Sequence, residues 1–174
     1  MFFFGHLGIG SKLVAPFTRG LPKSAIFLGT LLPDLLDKPL YYGLSWLTHK
    51  HGAQLGLISG TRTFGHSAFL LLILTLYNLK KKSLKITGII FGIGSHLILD
   101  GWGDHFEALS ETALFWPFHW QFPTIPFADL SEHLLSMNRP IVLYGEILGL
   151  FLIFSNSSLT RKLMRNFKLF SGKI

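Results

Sequence analysis

Five ionisable residues stand in stretches otherwise rich in Leu, Ile, Phe and Gly: His6, Asp34, His66, His96 and Asp100. An ionisable side chain in an apolar helix is costly to bury, so it is usually paired or functional. Imidazole plus carboxylate is the donor set of zinc and related divalent ions. His96 and Asp100 are four residues apart, which places both on one face of a helix. A single pair of this kind also forms an ordinary hydrogen bond at a helix end, so spacing alone does not select metal binding. A whole group at one height points to a divalent-metal site, with zinc first, manganese second and one to three ions. The same groups can instead form a proton or ion relay for a transporter. His66 and His96 can also serve as axial haem ligands, although the neighbouring Asp34 and Asp100 favour a hard divalent ion.

Further residues fit around that group. Asp37, three residues after Asp34, can orient a ligand or act as a catalytic general base; its alternative is a surface carboxylate paired with Lys38. Arg62, four residues before His66, can neutralise a substrate phosphate or sit among lipid headgroups. Glu146, inside an apolar stretch, is a buried functional acid or a partner for another helix. Other motif classes are missing: no phosphate-cradling glycine loop ending in Lys-Ser/Thr, no Gly-x-Ser-x-Gly elbow and no His-Glu-x-x-His.

The elements that must position these residues are five apolar stretches, Phe2–Phe17, Ser24–Leu36, Phe64–Leu79, Ile86–Leu99 and Ile141–Phe154. All are of helix length and lack strand alternation. Each is shorter than the ~20 residues of a full helical span, and at least two or three true spans are expected. Arg19–Lys23 and the lysine-rich Lys80–Lys85 read as turns, Pro140 as a first helical residue, and Gly101 and Gly103 as a helix end. Gly88/Gly92 and Gly145/Gly149 are small-residue pairs that let helices approach closely in lipid. With Phe64–Leu79 and Ile86–Leu99 folded as an antiparallel hairpin, His66 and Asp100 both lie roughly 21–22 Å from the lysine turn. With the first two stretches folded the same way, His6 and Asp34 also share a level. All five residues then gather at the end away from the basic turns, which the positive-inside rule places in the cytoplasm.

Composition agrees with a membrane protein. Of 174 residues, 49% are hydrophobic and 14% charged, against about 25% charged in soluble domains. Mean hydropathy is +0.44. This excludes disorder. The charge of +7 comes from scarce acids and scattered basic clusters, without a basic face bearing stacking aromatics, so nucleic acid is not an expected partner. The absence of Cys removes disulfides, thiolate metal sites and thiol nucleophiles. The length suits one domain over residues 1–174. Within it, residues 101–138 form an aromatic-rich loop or lid. Residues 159–174 carry a basic amphipathic tail suited to an anionic leaflet.

Three blocks carry a resemblance: Gly29-Thr30-Leu31-Leu32-Pro33-Asp34-Leu35-Leu36-Asp37, Arg62-Thr63-Phe64-Gly65-His66-Ser67 and Gly94-Ser95-His96-Leu97-Ile98-Leu99-Asp100. With His6 and Leu114-Phe115-Trp116-Pro117-Phe118, they resemble the YdjM-type membrane-bound metal-dependent hydrolases over about residues 5 to 120. The resemblance implies an all-α, membrane-associated bundle of about five helices, distantly like zinc-dependent phospholipase C and P1 nuclease, at the inner membrane. It also implies hydrolysis of a phosphoester in a lipid or lipid-linked substrate. The family often reads His-Arg-Gly-x-Thr-His-Ser at the second block, where this chain has Thr61 and Gly65. That leaves one ligand position to be filled from His49, His51, His105, His119 or His133.

Overall fold

The computed structural model describes residues 3–103, 113–124 and 140–155, with residues 131 and 135. The expected basic tail at 159–174, His105, His133 and much of the 101–138 segment lie outside the described residues. Among the described residues there are five principal helices and no strand.

The first helical segment, α1, covers residues 3–17 and is irregular. It starts as α-helix Phe3–Gly5, widens to a π-turn at His6–Gly10, narrows again at Ser11–Val14 and ends as a 3-10 turn at Ala15–Phe17, which contains Pro16. The remaining helices are α2, Lys23–Thr48; α3, Ala68–Lys81; α4, Leu84–Gly103; and α5, Pro140–Ser155. Short 3-10 turns occur at Gly52–Leu55, Phe64–His66 and Ala113–Phe115.

Two of these boundaries correct the sequence expectation. The second apolar stretch was expected to stop at Leu36, but α2 continues to Thr48 through Pro33 and Pro39. Each proline removes one backbone hydrogen bond. The buried stripe Ala25, Gly29, Pro33, Asp37, Tyr41 and Ser45 repeats every four residues, so packing along one face outweighs that loss. The third stretch does not begin as a helix at Phe64. The chain makes a 3-10 turn through His66, and Ser67 then caps α3 by accepting a hydrogen bond from Leu70 N–H at 3.2 Å.

A close helix crossing joins α2 and α4, and it is parallel. Gly88 faces Ala25, and Gly92 lies against the backbone of Ile26, Gly29 and Thr30. A Cβ at Gly29 or Gly92 would overlap the backbone of the other helix. The lysine turn does close α3 and α4 as a hairpin. Lys82 sits in the left-handed region at φ 50°, and Asn78 bridges the Ser83 N–H and the Thr87 hydroxyl.

A second glycine contact joins α1 to α5. Gly8 and Gly149 meet backbone to backbone, with no space for a Cβ on either. The Glu146 carboxylate then accepts hydrogen bonds from Phe4 N–H at 2.8 Å and Gly5 N–H at 3.0 Å. Of the two readings of Glu146, the structure gives the partner of another helix: a carboxylate at the positive end of α1.

Among the described residues one helix, over Leu84–Gly101, is long and apolar enough to cross a membrane, and Val142–Ser155 is a shorter apolar helix. Both α3 and α5 turn large apolar side chains outward, including Leu72, Leu76, Leu79, Ile147, Phe151 and Phe154.

Candidate metal centre

His6, Asp34, His66, His96 and Asp100 meet at one end of the bundle, each delivered by a different local device. His6 sits in the π-turn of α1; such turns often occur at functional sites. Asp34 projects from α2 one turn before Asp37. His66 comes from the 3-10 turn ahead of α3, and His96 and Asp100 lie one turn apart on α4.

Asp100 is the hub. Its Oδ1 lies 3.3 Å from His6 Nε2 and 3.2 Å from an Arg62 nitrogen. Its Oδ2 lies 3.4 Å from His66 Nε2 and 3.5 Å from His96 Nε2. Asp34 Oδ1 completes the group, 3.6 Å from His66 Nε2. The rings of His6 and His96 stack at 3.9 Å. The three imidazoles are almost wholly buried.

The outer nitrogens of two histidines are held from behind. His96 Nδ1 lies 2.7 Å from the Thr30 carbonyl oxygen. A carbonyl only accepts, so Nδ1 carries the proton, and in the neutral ring Nε2 offers a lone pair. His66 Nδ1 lies 2.7 Å from Asp37 Oδ2, which fixes the same tautomer. The two Nε2 atoms face each other at 3.1 Å. Two lone pairs at that distance repel unless a proton or a cation lies between them. Burial opposes charge on His66, but its hydrogen bonds with Asp100, Asp34 and Asp37 outweigh that and raise its pKa to about 10. A proton therefore fills the role when no cation does.

Two triads have one donor atom each within 4.8 Å of the others: His6, His96, Asp100 and Asp34, His66, His96. His96 belongs to both, yet only its Nε2 is available. It can serve one ion, whereas the two oxygens of Asp100 face different histidines and can serve two. The residues fit a divalent ion by donor type, burial and orientation.

Asp37 is buried, not a surface partner of Lys38. Lys38 reaches back one turn to Asp34 at 2.6 Å, because i,i+4 residues face each other and adjacent ones do not. Besides His66 Nδ1, the Asp37 carboxylate accepts from Thr63 N–H at 2.6 Å, Gly65 N–H at 2.9 Å and His66 N–H at 3.3 Å. These four donors make it an anchor for the His66 turn, the orienting alternative of the sequence reading. Gly65 permits this approach, since a Cβ there would come within 2.7 Å of the Pro33 carbonyl oxygen and 3.0 Å of Asp37 Oδ1.

Arg62 is ion-paired with Asp100, its side chain one-third exposed at the rim. The spare histidines His49, His51 and His119 are exposed and stand outside both triads. His51 pairs instead with Ser45 and begins the Gly52–Leu55 turn. The described part of the 101–138 segment lays Trp116 and Phe122 edge-on against Phe64, beside the His66 turn. The direct meeting of His66 and His96 leaves no slot for a porphyrin between them, which removes the haem alternative.

Sequence reasoning offered Asp37 as an orienting group but missed the Thr30 contact. No residue-type signal marks the Thr30 carbonyl. The π-turn had one trace, the clustered Gly5, Gly8 and Gly10 around His6.

Among the described residues, an all-helical bundle with a helix long and apolar enough to span a bilayer and a buried His/Asp cluster defines a helical protein with a candidate metal-binding centre. Within that class the chain belongs to the YdjM inner membrane protein family, which it matches over residues 1–164. Comparison with curated proteins and with solved structures gives no match.

Proposed function

We propose that the protein is a membrane-bound metal-dependent hydrolase acting on a phosphoester in a lipid or lipid-linked substrate. The observation that carries this reading is the pair of imidazole Nε2 atoms facing each other at 3.1 Å beside Asp100. A divalent ion, zinc first and manganese second, would activate water and polarise a phosphoryl oxygen.

His6, Asp34, His66, His96 and Asp100 would hold it. Asp37 keeps the His66 ring in its tautomer, and the Thr30 carbonyl does the same for His96. Arg62 sits at the rim, where its guanidinium can take a substrate phosphate in a bidentate grip. Phe64, Trp116 and Phe122 offer an apolar wall for an acyl chain. The basic turns would face the cytoplasm and the cluster the opposite side, with further helices beside Leu84–Gly101 entering the bilayer.

The test is elemental analysis of detergent-purified protein with His96→Ala and Asp100→Ala beside it, helicity being checked by circular dichroism. Stoichiometric zinc or manganese, lost in both folded variants, supports the centre; release of phosphate or a headgroup from a phospholipid panel then supports hydrolysis. No metal above background after reconstitution with zinc and manganese refutes it. Ion flux in proteoliposomes without hydrolysis would identify the cluster as a relay instead.

A further inference from the structure

The end of the bundle opposite the cluster has its own cavity, of about 440 Å³, between α1, α2 and α5. Its rim carries Lys12, Arg19 and Lys23, and its wall includes Ile26, Phe27 and Leu152. Thr18 and Asp34 lie 12 and 11 residues along α1 and α2 from His6 and Lys23 respectively, so cavity and cluster are separated by roughly 16–18 Å of helix.

Charge is segregated between the two ends. The carboxylates of Asp34, Asp37 and Asp100 belong to the cluster, and Glu146 caps the start of α1. Among the described residues, Lys12, Arg19 and Lys23 have no carboxylate partner. The Lys80–Lys85 turn adds further cations on the same end, because Gly88, just after it, packs against Ala25 and Pro22. Arg19 and Lys23 are exposed. Three cations over an apolar wall match a molecule with a phosphate at one end and hydrocarbon at the other. The exposed apolar faces of α3 and α5 place hydrocarbon beside the same bundle.

We propose that this cavity binds the phosphate headgroup of an anionic glycerophospholipid, with an acyl chain lying along Phe27 and Leu152. The site is separate from the metal centre and does not depend on hydrolysis. Inorganic phosphate shares the headgroup's charge but lacks the chain, and the assay separates the two.

Native mass spectrometry of the full chain in detergent would be titrated with phosphatidylglycerol, phosphatidylcholine and inorganic phosphate. The expected result is retention of phosphatidylglycerol over phosphatidylcholine, with Arg19→Gln/Lys23→Gln weakening it roughly 30-fold. Lys81→Gln/Lys82→Gln, which removes the same charge outside the cavity, should change it less than threefold. Ile153→Trp keeps every charge but fills the cavity lining and should also weaken retention. Equal effects of the two double variants, unchanged binding in Ile153→Trp, or binding of phosphate without lipid preference would each overturn the proposal. All variants are read after confirming monodisperse, helical protein; Arg19 and Lys23 are surface residues whose removal leaves the core intact.

Discussion

Replacing Asp37 by Asn tests a buried carboxylate that accepts four hydrogen bonds. The substitution conserves shape and removes one negative charge and one acceptor oxygen. Oδ2 receives three of the four donors, from Thr63, His66 N–H and His66 Nδ1, and Oδ1 receives the Gly65 N–H. The least damaging amide orientation keeps the oxygen at the Oδ2 position. The new NH₂ then faces the Gly65 N–H, two donors in a buried site. An unsatisfied buried donor costs about 1–3 kcal/mol. The other three bonds lose their charge assistance, which halves them at most. Together these give a destabilisation of about 3 kcal/mol, or more than 100-fold in the folding equilibrium. Denaturant titration in detergent, followed by Trp fluorescence, measures it. Metal affinity should fall by about 10- to 100-fold, as for other outer partners of ligating histidines. A variant with wild-type stability and metal affinity within twofold of wild type would refute the anchoring role.

The close crossing of α2 and α4 predicts a contrast between glycines: Gly92→Leu should abolish folded protein, whereas Gly94→Ala, with nothing within 4 Å of its Cβ, should be neutral or gain up to ~1 kcal/mol. Expression and melting temperature of the two side by side check this. Glu146→Ala should cost about 2 kcal/mol by leaving the Phe4 and Gly5 N–H groups without their carboxylate, and a melting temperature equal to wild type would contradict that. His66 has a pKa raised from 6.5 to about 10, so its charged form stabilises the metal-free protein fully below pH 6.5, and that contribution is lost as pH rises towards 10. Metal uptake must displace this proton, so affinity should rise about tenfold per pH unit between 7 and 9, measurable by isothermal titration in buffers of different ionisation enthalpy.

The convergence of His6, Asp34, His66, His96 and Asp100 was legible because it needs only residue counts along helices of known rise. It survived two wrong boundaries. His66 lies on a turn and not a helix, but the turn occupies the same end of the bundle. The length of α2 was hidden because Asp37-Lys38-Pro39 has the look of a helix end, and because its buried stripe continues through polar residues, Asp37, Tyr41 and Ser45. Gly88, Gly92 and Gly149 marked real crossings. The two hairpins of the sequence reading, with Asp34 and Asp100 at the same end, already run α2 and α4 in the same direction, and they cross in parallel. Asp37 was ambiguous because its partners are backbone N–H groups from residues 63 to 66, which no side-chain pattern announces.

The clasp between α1 and α5 has a consequence for how the cluster is assembled. The carboxylate that caps the helical segment of His6 lies 142 positions after the Phe4 N–H it accepts from, and Gly149 lies later still. Until α5 docks, α1 lacks its glycine seat and its carboxylate, and His6 is held through His96 and Asp100. Asp34, His66, His96 and Asp100 can assemble from α2 to α4 alone. The cluster's earliest donor in sequence is thus secured in part by α5, so the geometry at His6 depends on a helix more than a hundred residues away.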